Sequence, residues 1–160
     1  MNTITFVPFN QIRAEQLLPI VNDPTVRKHL IDHEIFTVQG LNQWITNKLA
    51  LDSRDDCRIR AIYSDGVLAG WCGIQPDYNG VELAMVLSPK YWGLGANIFQ
   101  TVIGWAKELG HQEVQLHLLD SRPDYKALLK RSTRVYKTKR LGRCFTSYAI
   151  AVTAQAIPFE

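Results

Sequence analysis

The chain has 160 residues, 46% hydrophobic and 21% charged, which fits one domain of ordinary size and composition and excludes disorder as a description of the whole. No apolar run approaches the roughly 18 residues of a membrane-crossing helix, so no membrane partner is expected. The net charge of +3 conceals a split: residues 122–143 hold nine basic residues and one acid, Asp124, for +8, which leaves −5 on the rest.

Residues 3–9 read as a first strand, edged by Pro8. Asn10 is placed to cap a helix whose apolar positions are Ile12, Leu17, Leu18 and Val21. Asn22-Asp23-Pro24 breaks it, and Asp23 as cap with Pro24 at the first helical position starts a short helix toward Leu30. Residues 31–36 read as a loop. Thr37 opens the next helix, with Leu41, Trp44, Ile45 and Leu49 at helical spacing, and residues 51–57 form a charged connection. Two strands, 58–63 and 67–74, flank Asp65-Gly66, a strong hairpin signal. A turn over 76–80 leads into a strand at 81–87, with Val81, Leu83, Met85 and Leu87 on one face and Glu82, Ala84 and Val86 on the other. Ser88-Pro89-Lys90-Tyr91-Trp92-Gly93-Leu94-Gly95 ends that strand. A helix begins near Leu94 or Gly95, shows Ile98, Val102, Trp105 and Leu109 on one face and stops at Gly110. A strand at 113–119, a helix opened by Pro123 through Leu128 and Leu129, and two strands at 134–140 and 143–152 complete the chain. The order predicts an α/β fold: one mixed sheet with helices on both faces, in a single domain spanning residues 1–160.

The strand, glycine turn and helix over residues 81–110 favour an anion. The first amides of a helix lack internal partners and its dipole adds positive character. Gly93 and Gly95 remove side chains that would keep a phosphate away from the backbone, and Lys90 adds a charge. No Gly-Lys-Ser/Thr ends the turn and the third glycine of a dinucleotide fingerprint is missing, so neither of those phosphate motifs fits.

Residues 81–98, Val-Glu-Leu-Ala-Met-Val-Leu-Ser-Pro-Lys-Tyr-Trp-Gly-Leu-Gly-Ala-Asn-Ile, closely resemble motif A of the GNAT superfamily of acyl-CoA N-acyltransferases. Tyr-Trp-Gly-x-Gly is especially similar to the branch that contains the ribosomal-protein N-terminal acetyltransferases. The element order is similar over nearly the whole chain. The resemblance implies a cleft where the strand at 81–87 splays from that at 113–119, with acetyl-CoA in it as cosubstrate. The backbone of Met85, Val86 and Leu87 would pair with the pantetheine, and the amides of Gly93, Leu94, Gly95, Ala96 and Asn97 would cradle the pyrophosphate. Lys90 stands where the family usually has Arg or Gln. Glu82 matches a position that often serves as general base, and the Val86 amide matches the oxyanion donor. A carboxylate in a half-buried strand holds its proton more tightly, as a base working near neutral pH requires.

The region after the strand at 113–119 departs from the family. In place of its Asn and Tyr stand Ser121 or Arg122 and Leu129. Ser121 is assigned to the cofactor, and Tyr125 is the candidate for the missing acid, with Tyr136 as a second. His33 and Phe36, in the loop where the family places its acceptor, are assigned to the substrate. His29 lies near the same loop. His117, between Leu116 and Leu118, reads as a hydrogen-bonded, half-buried histidine on a central strand.

Cys57, Cys72 and Cys144 are too scattered for a disulfide framework or a zinc site. With no secretory leader over residues 1–13, they read as reduced thiols of a cytoplasmic protein. No Cys, His and acid cluster has metal spacing, so no metal is expected. The basic run leaves room for a nucleic-acid acceptor but lacks the aromatic interleaving of RNA readers, so that partner is not favoured. The expected activity is direct acetyl transfer from acetyl-CoA to a primary amine: a protein N-terminus, a small amine, an antibiotic or an aminoacyl-tRNA. The alternative is a non-catalytic acyl-CoA-binding module. The resemblance also suggests a homodimer, through the final strands.

Overall fold

A computed structural model describes residues 3–29, 34–78, 80–120, 126–140 and 142–152. In it strands β1 (Ile4–Val7), β2 (Arg58–Ser64), β3 (Val67–Asp77), β4 (Gly80–Leu87), β5 (Glu113–Leu119), β6 (Ser132–Arg140) and β7 (Arg143–Ala151) form one sheet. Its order is β1-β2-β3-β4-β5-β7-β6. The β4–β5 pair is parallel and the other five are antiparallel, so the sheet is mixed as the element order predicts. Helices α1 (Ala14–Val21), α2 (Pro24–Arg27), α3 (Val38–Asp52), α4 (Gly95–Glu108) and α5 (Lys126–Arg131), with 3-10 turns at Phe9–Gln11 and Pro89–Leu94, complete the described elements.

Two apolar layers sandwich the sheet. On one face α4 buries Ile98, Phe99, Val102, Ile103 and Ala106 against Leu83, Leu87 and Ile74. On the other, α1 and α3 bury Leu17, Leu41 and Ile45 against Phe9, Trp71 and Val86. Each large side chain so buried contributes about 1.5–3 kcal/mol. Val81, Leu83 and Leu87 of β4 join the first layer and Val86 the second, the alternation read from the sequence.

The helix starts follow side-chain chemistry. Asp23 Oδ1 accepts from the Thr25 amide at 2.7 Å, with Pro24 in the first turn of α2. Thr37 Oγ1 accepts from the Gly40 amide at 3.0 Å. Asn10 is not a helix cap. It lies in a 3-10 turn, Phe9–Gln11, held by burial of the Phe9 ring. Ile12 is extended, so α1 starts after Arg13, whose amide donates to Gln16 Oε1 at 2.9 Å.

Two strand boundaries matter for the site. β3 and β4 stay paired as far as Asp77 and Gly80, so Pro76 belongs to the strand and not to the turn. That sets Asp77 near the start of β4. Chain 34–36 is pinned beside the cleft by Asn22, whose side chain donates to the Phe36 carbonyl and accepts from its amide, both at 2.9 Å.

Candidate active site

β3 and β4 pair over eight positions, whereas β4 and β5 pair at one, Glu82 with Gln115. Past Glu82, no described strand pairs with the β5-facing edge of β4, and a cleft of about 800 Å³ opens there. Its walls come from α3, β3, β4, α4, β5 and α5, with Phe36, Trp44, Met85, Phe99, Leu116 and Leu128 among its apolar groups.

The backbone of β4 alternates between its two neighbours. The Val86 carbonyl packs against Gly70 so closely that a Cβ there would lie 1.9 Å from it, and the Ser88 amide donates to Ala69 O at 2.8 Å. The peptide groups of Val86 and Ser88 therefore belong to the β3 side, and those of Met85 and Leu87 face the cleft. This corrects the expectation that the Val86 amide donates into the cleft; Val86 lines it with its side chain. The Leu87 carbonyl accepts from Trp92 Nε1 at 2.9 Å, leaving the Leu87 amide and the Met85 peptide as the pairing groups of that edge.

The glycine segment is wound tighter than its sequence suggests. Pro89–Leu94 forms a 3-10 helix, opened by Ser88 and Pro89. The Tyr91 amide donates to Ser88 O at 2.9 Å, and the Gly95 amide donates to Trp92 O. The Gly95 amide therefore has an internal partner, against expectation, and Gly93 and Leu94 lie inside the 3-10 turn. Ala96 and Asn97, the second and third residues of α4, are the first amides past that turn. A Cβ on Gly93 or Gly95 would meet nothing within 4 Å, so both keep space clear for a ligand. Gly95 and Ala96 line the cleft. Lys90 is exposed, its Nζ 5.1 Å from the Tyr91 ring, and it is not among the lining residues.

At the other end, polar side chains from several elements converge on Glu82. Burial pushes the Glu82 carboxyl above the ordinary carboxylate range and the charge of Asp77 adds to that, while His117, Arg140 and a Gln75 hydrogen bond pull the other way. Arg140 Nη1 approaches Glu82 Oε2 at 4.0 Å and its Nη2 pairs with Asp77. His117 Nε2 lies 2.9 Å from Asp77 Oδ2, and Nδ1 lies 2.6 Å from Ser147 Oγ, which is 2.6 Å from Thr138 Oγ1. An ionised Asp77 only accepts, so Nε2 carries the proton of that contact, and Ser147 and Thr138 extend the chain from Nδ1. Burial pushes the Asp77 carboxyl up, but hydrogen bonds from His117 and Arg140 outweigh it and hold the group below its usual range.

Lys48 of α3 enters the cleft between two indoles. Its Nζ lies 5.2 Å from the Trp44 ring centroid and 5.0 Å from that of Trp71, and donates to Gln75 Oε1 at 2.7 Å. Burial holds its ammonium below the usual lysine value, with Glu82 opposing.

Ser121, Tyr125 and His33 lie outside the described residues. Phe36 lines the cleft, as does His29, whose ring is 5.7 Å from Trp92. Leu129 is 42% exposed, and the α5 residues that face the cleft are Ala127, Leu128 and Arg131. Arg131 stacks 5.3 Å from Phe99 with its Nε and one terminal nitrogen buried and without a hydrogen-bond partner. Tyr136 is tied up, donating to Gln115 Oε1 at 2.6 Å. Sequence reasoning missed Lys48, Gln75, Asp77 and Arg140, and took Arg131 only as part of the basic run. The one local signal was Lys48 four residues after Trp44, on the same helix side.

Residues 3–132 match the family profile of the acetyltransferase (GNAT) domain. The chain belongs to this acetyltransferase family. No curated protein is significantly similar to it. Solved structures share its fold at low identity. One from Bordetella pertussis, assigned to the GNAT family, is 15% identical with a TM-score of 0.74, over 92% of this chain and 95% of that one. An N-acetyltransferase from Staphylococcus aureus Mu50 is 14% identical with a TM-score of 0.68, over 95% and 99%. yncA from Salmonella typhimurium, solved with its cofactor acetyl-CoA, is 14% identical with a TM-score of 0.66, over 95% and 94%.

Proposed function

We propose that this chain transfers the acetyl group of acetyl-CoA directly to a primary amine. The observation that carries the reading is the β4 edge, which loses its strand partner immediately past Glu82 and leaves the Met85 peptide and Leu87 amide facing the cleft. An extended chain with amides at peptide-like spacing, such as pantetheine, can complete that edge. The pyrophosphate then reaches the bare surface of Gly93 and Gly95 and the amides of Ala96 and Asn97, at the positive end of α4.

In this reading Glu82 takes a proton from the incoming ammonium, freeing the nitrogen lone pair to attack the thioester carbonyl. The new C–N bond forms, the carbonyl oxygen gains charge opposite a cleft-facing amide of β4, and the C–S bond then breaks. The nitrogen's second proton leaves with the thiolate, so the products are an acetamide, the CoA thiol and one proton held by Glu82. Raised proton affinity suits Glu82 to this work near neutral pH.

Calorimetry with acetyl-CoA, on the parent and on a Gly93→Val, Gly95→Val double variant, tests the binding half. The parent should bind and the variant should lose about tenfold or more in affinity. No binding by the parent, or equal binding by both, contradicts the assignment. A thiol-release assay across an amine library tests the chemical half. Acetyl-CoA binding with no turnover of any amine selects a non-catalytic acyl-CoA-binding module instead.

A further inference from the structure

The acceptor side of the cleft holds a half-buried cation that makes no ion pair among the described residues. Lys48 Nζ is enclosed by the Trp44 and Trp71 rings and hydrogen-bonded to the neutral Gln75 amide. Among the described residues no carboxylate lies within ion-pair distance of it, whereas Arg140, another cation of the cleft, is paired with Asp77. Cation–π contacts soften the cost of burying an ammonium but bring no compensating charge. A ligand anion at this point would gain a charge-assisted hydrogen bond from a half-buried ammonium.

Gln75 also sets the spacing. Its amide oxygen accepts from Lys48, and Glu82 is its cross-strand partner. Lys48 and Glu82 are thus separated by a single amide group, cation first and carboxylate second. A zwitterion whose carboxylate and ammonium are a few bonds apart matches that row with opposite signs. The surrounding wall, Phe36, Trp44, Trp71 and Val26, offers its body apolar and aromatic contact. Arg131, the other cleft cation without an ionic partner among the described residues, stands over Phe99 on the α4–α5 side, away from this row.

We propose that the acceptor is a small amine that carries its own carboxylate, an amino acid with an apolar or aromatic body, and that Lys48 binds that carboxylate while the amine lies at Glu82. This rests on the acetyl-transfer reading above and narrows it to one substrate class. It also assigns Lys48 as a specificity determinant and not as a group that acts on the reacting atoms.

The test uses the full chain and two matched probes, 3-phenylpropanoate and 3-phenylpropanamide, titrated against tryptophan fluorescence with Trp44 and Trp71 as reporters. The acid is expected to bind at least about tenfold tighter than the amide, a difference that one charge-assisted contact supplies. In Lys48→Met that ratio falls to about one, while acetyl-CoA affinity measured by calorimetry stays within about twofold. In turnover, the same variant raises KM for carboxylate-bearing amines by a larger factor than it changes their kcat, the signature of lost binding shared by ground and transition states. Equal binding of acid and amide by the parent overturns the proposal. So does no saturable binding of the acid below about 10 mM, or an acid-to-amide ratio that survives in Lys48→Met. Acetyl-CoA calorimetry reads separately, so failure of the cofactor assignment is distinguishable from failure of this one.

Discussion

The two ends of the cleft are built by opposite strategies. The end toward α4 is made of backbone: the β4 edge, the 3-10 turn and the bare glycines come from one stretch, residues 80–97. The end around Glu82 is made of side chains, with Lys48 from α3, Gln75 and Asp77 from β3, His117 from β5 and Arg140 from β6. Backbone recognition needs local sequence to set turns and helix starts. Side-chain recognition needs the whole sheet to be in register. The first therefore depends on one stretch of chain, and the second on the whole fold.

The largest expected effect falls at the side-chain end. Glu82→Gln keeps the shape and a hydrogen-bonding group but removes the base, and should lower kcat/KM by about 10²–10⁴ in a thiol-release assay. The same variant should melt higher at neutral pH. The folded carboxyl is raised above its unfolded value, so its favourable contribution is complete below the ordinary carboxylate range and is lost as pH rises through the raised value. A drop in activity together with a gain in melting temperature marks a residue kept for chemistry.

Asp77→Asn comes next. The Asp77 side chain is 4% exposed and holds both Arg140 and His117, so losing its charge leaves the half-buried guanidinium only the longer Glu82 contact and should cost about 3 kcal/mol in denaturant unfolding. The sign in pH is opposite to that of Glu82. The Asp77 carboxyl is lowered, so its contribution is present above the ordinary carboxylate range and lost as pH falls toward the lowered value. The variant should therefore differ most from the parent near pH 7 and least near about pH 3. At the backbone end, Gly95→Val alone should leave the fold intact, because its Cβ meets open space, and cost about tenfold in acetyl-CoA affinity. The smallest effect belongs to Lys90→Ala: an exposed lysine off the cleft wall should change stability by less than about 0.5 kcal/mol and acetyl-CoA affinity by less than about threefold.

The contrast also explains what could be read from the sequence. Hydrophobic alternation over residues 81–87, the Asp65-Gly66 turn and the Gly110 stop led to the sheet and to α4, because each is a local rule obeyed by neighbours. The same local rules set Glu82 on its strand and marked the glycine segment, while the roles expected of them came from the family resemblance. They failed at Pro89, where proline and a preceding serine start a 3-10 turn six residues ahead of α4 and occupy the Gly95 amide. The Val86 amide, carried over from the family resemblance, points the other way because the direction of a peptide group depends on which neighbour of β4 it pairs with. Asp77 was hidden by reading Pro76 as a turn. Arg140 is 63 residues from Asp77, a distance no spacing rule spans, and its place follows only from the β5–β7–β6 pairing. The basic run is likewise not one feature: Arg131 and Arg140 enter the cleft, while Arg134, Lys137 and Lys139 lie on the exposed positions of β6.

The most direct measurement is the pH dependence of CoA release by the parent and by Glu82→Gln, with any amine that the library finds. The account predicts that kcat/KM of the parent rises with pH through a single ionisation above the ordinary carboxylate range, and that Glu82→Gln loses this limb along with most of its rate. Superimposable profiles of similar height would contradict it and remove Glu82 from the chemistry.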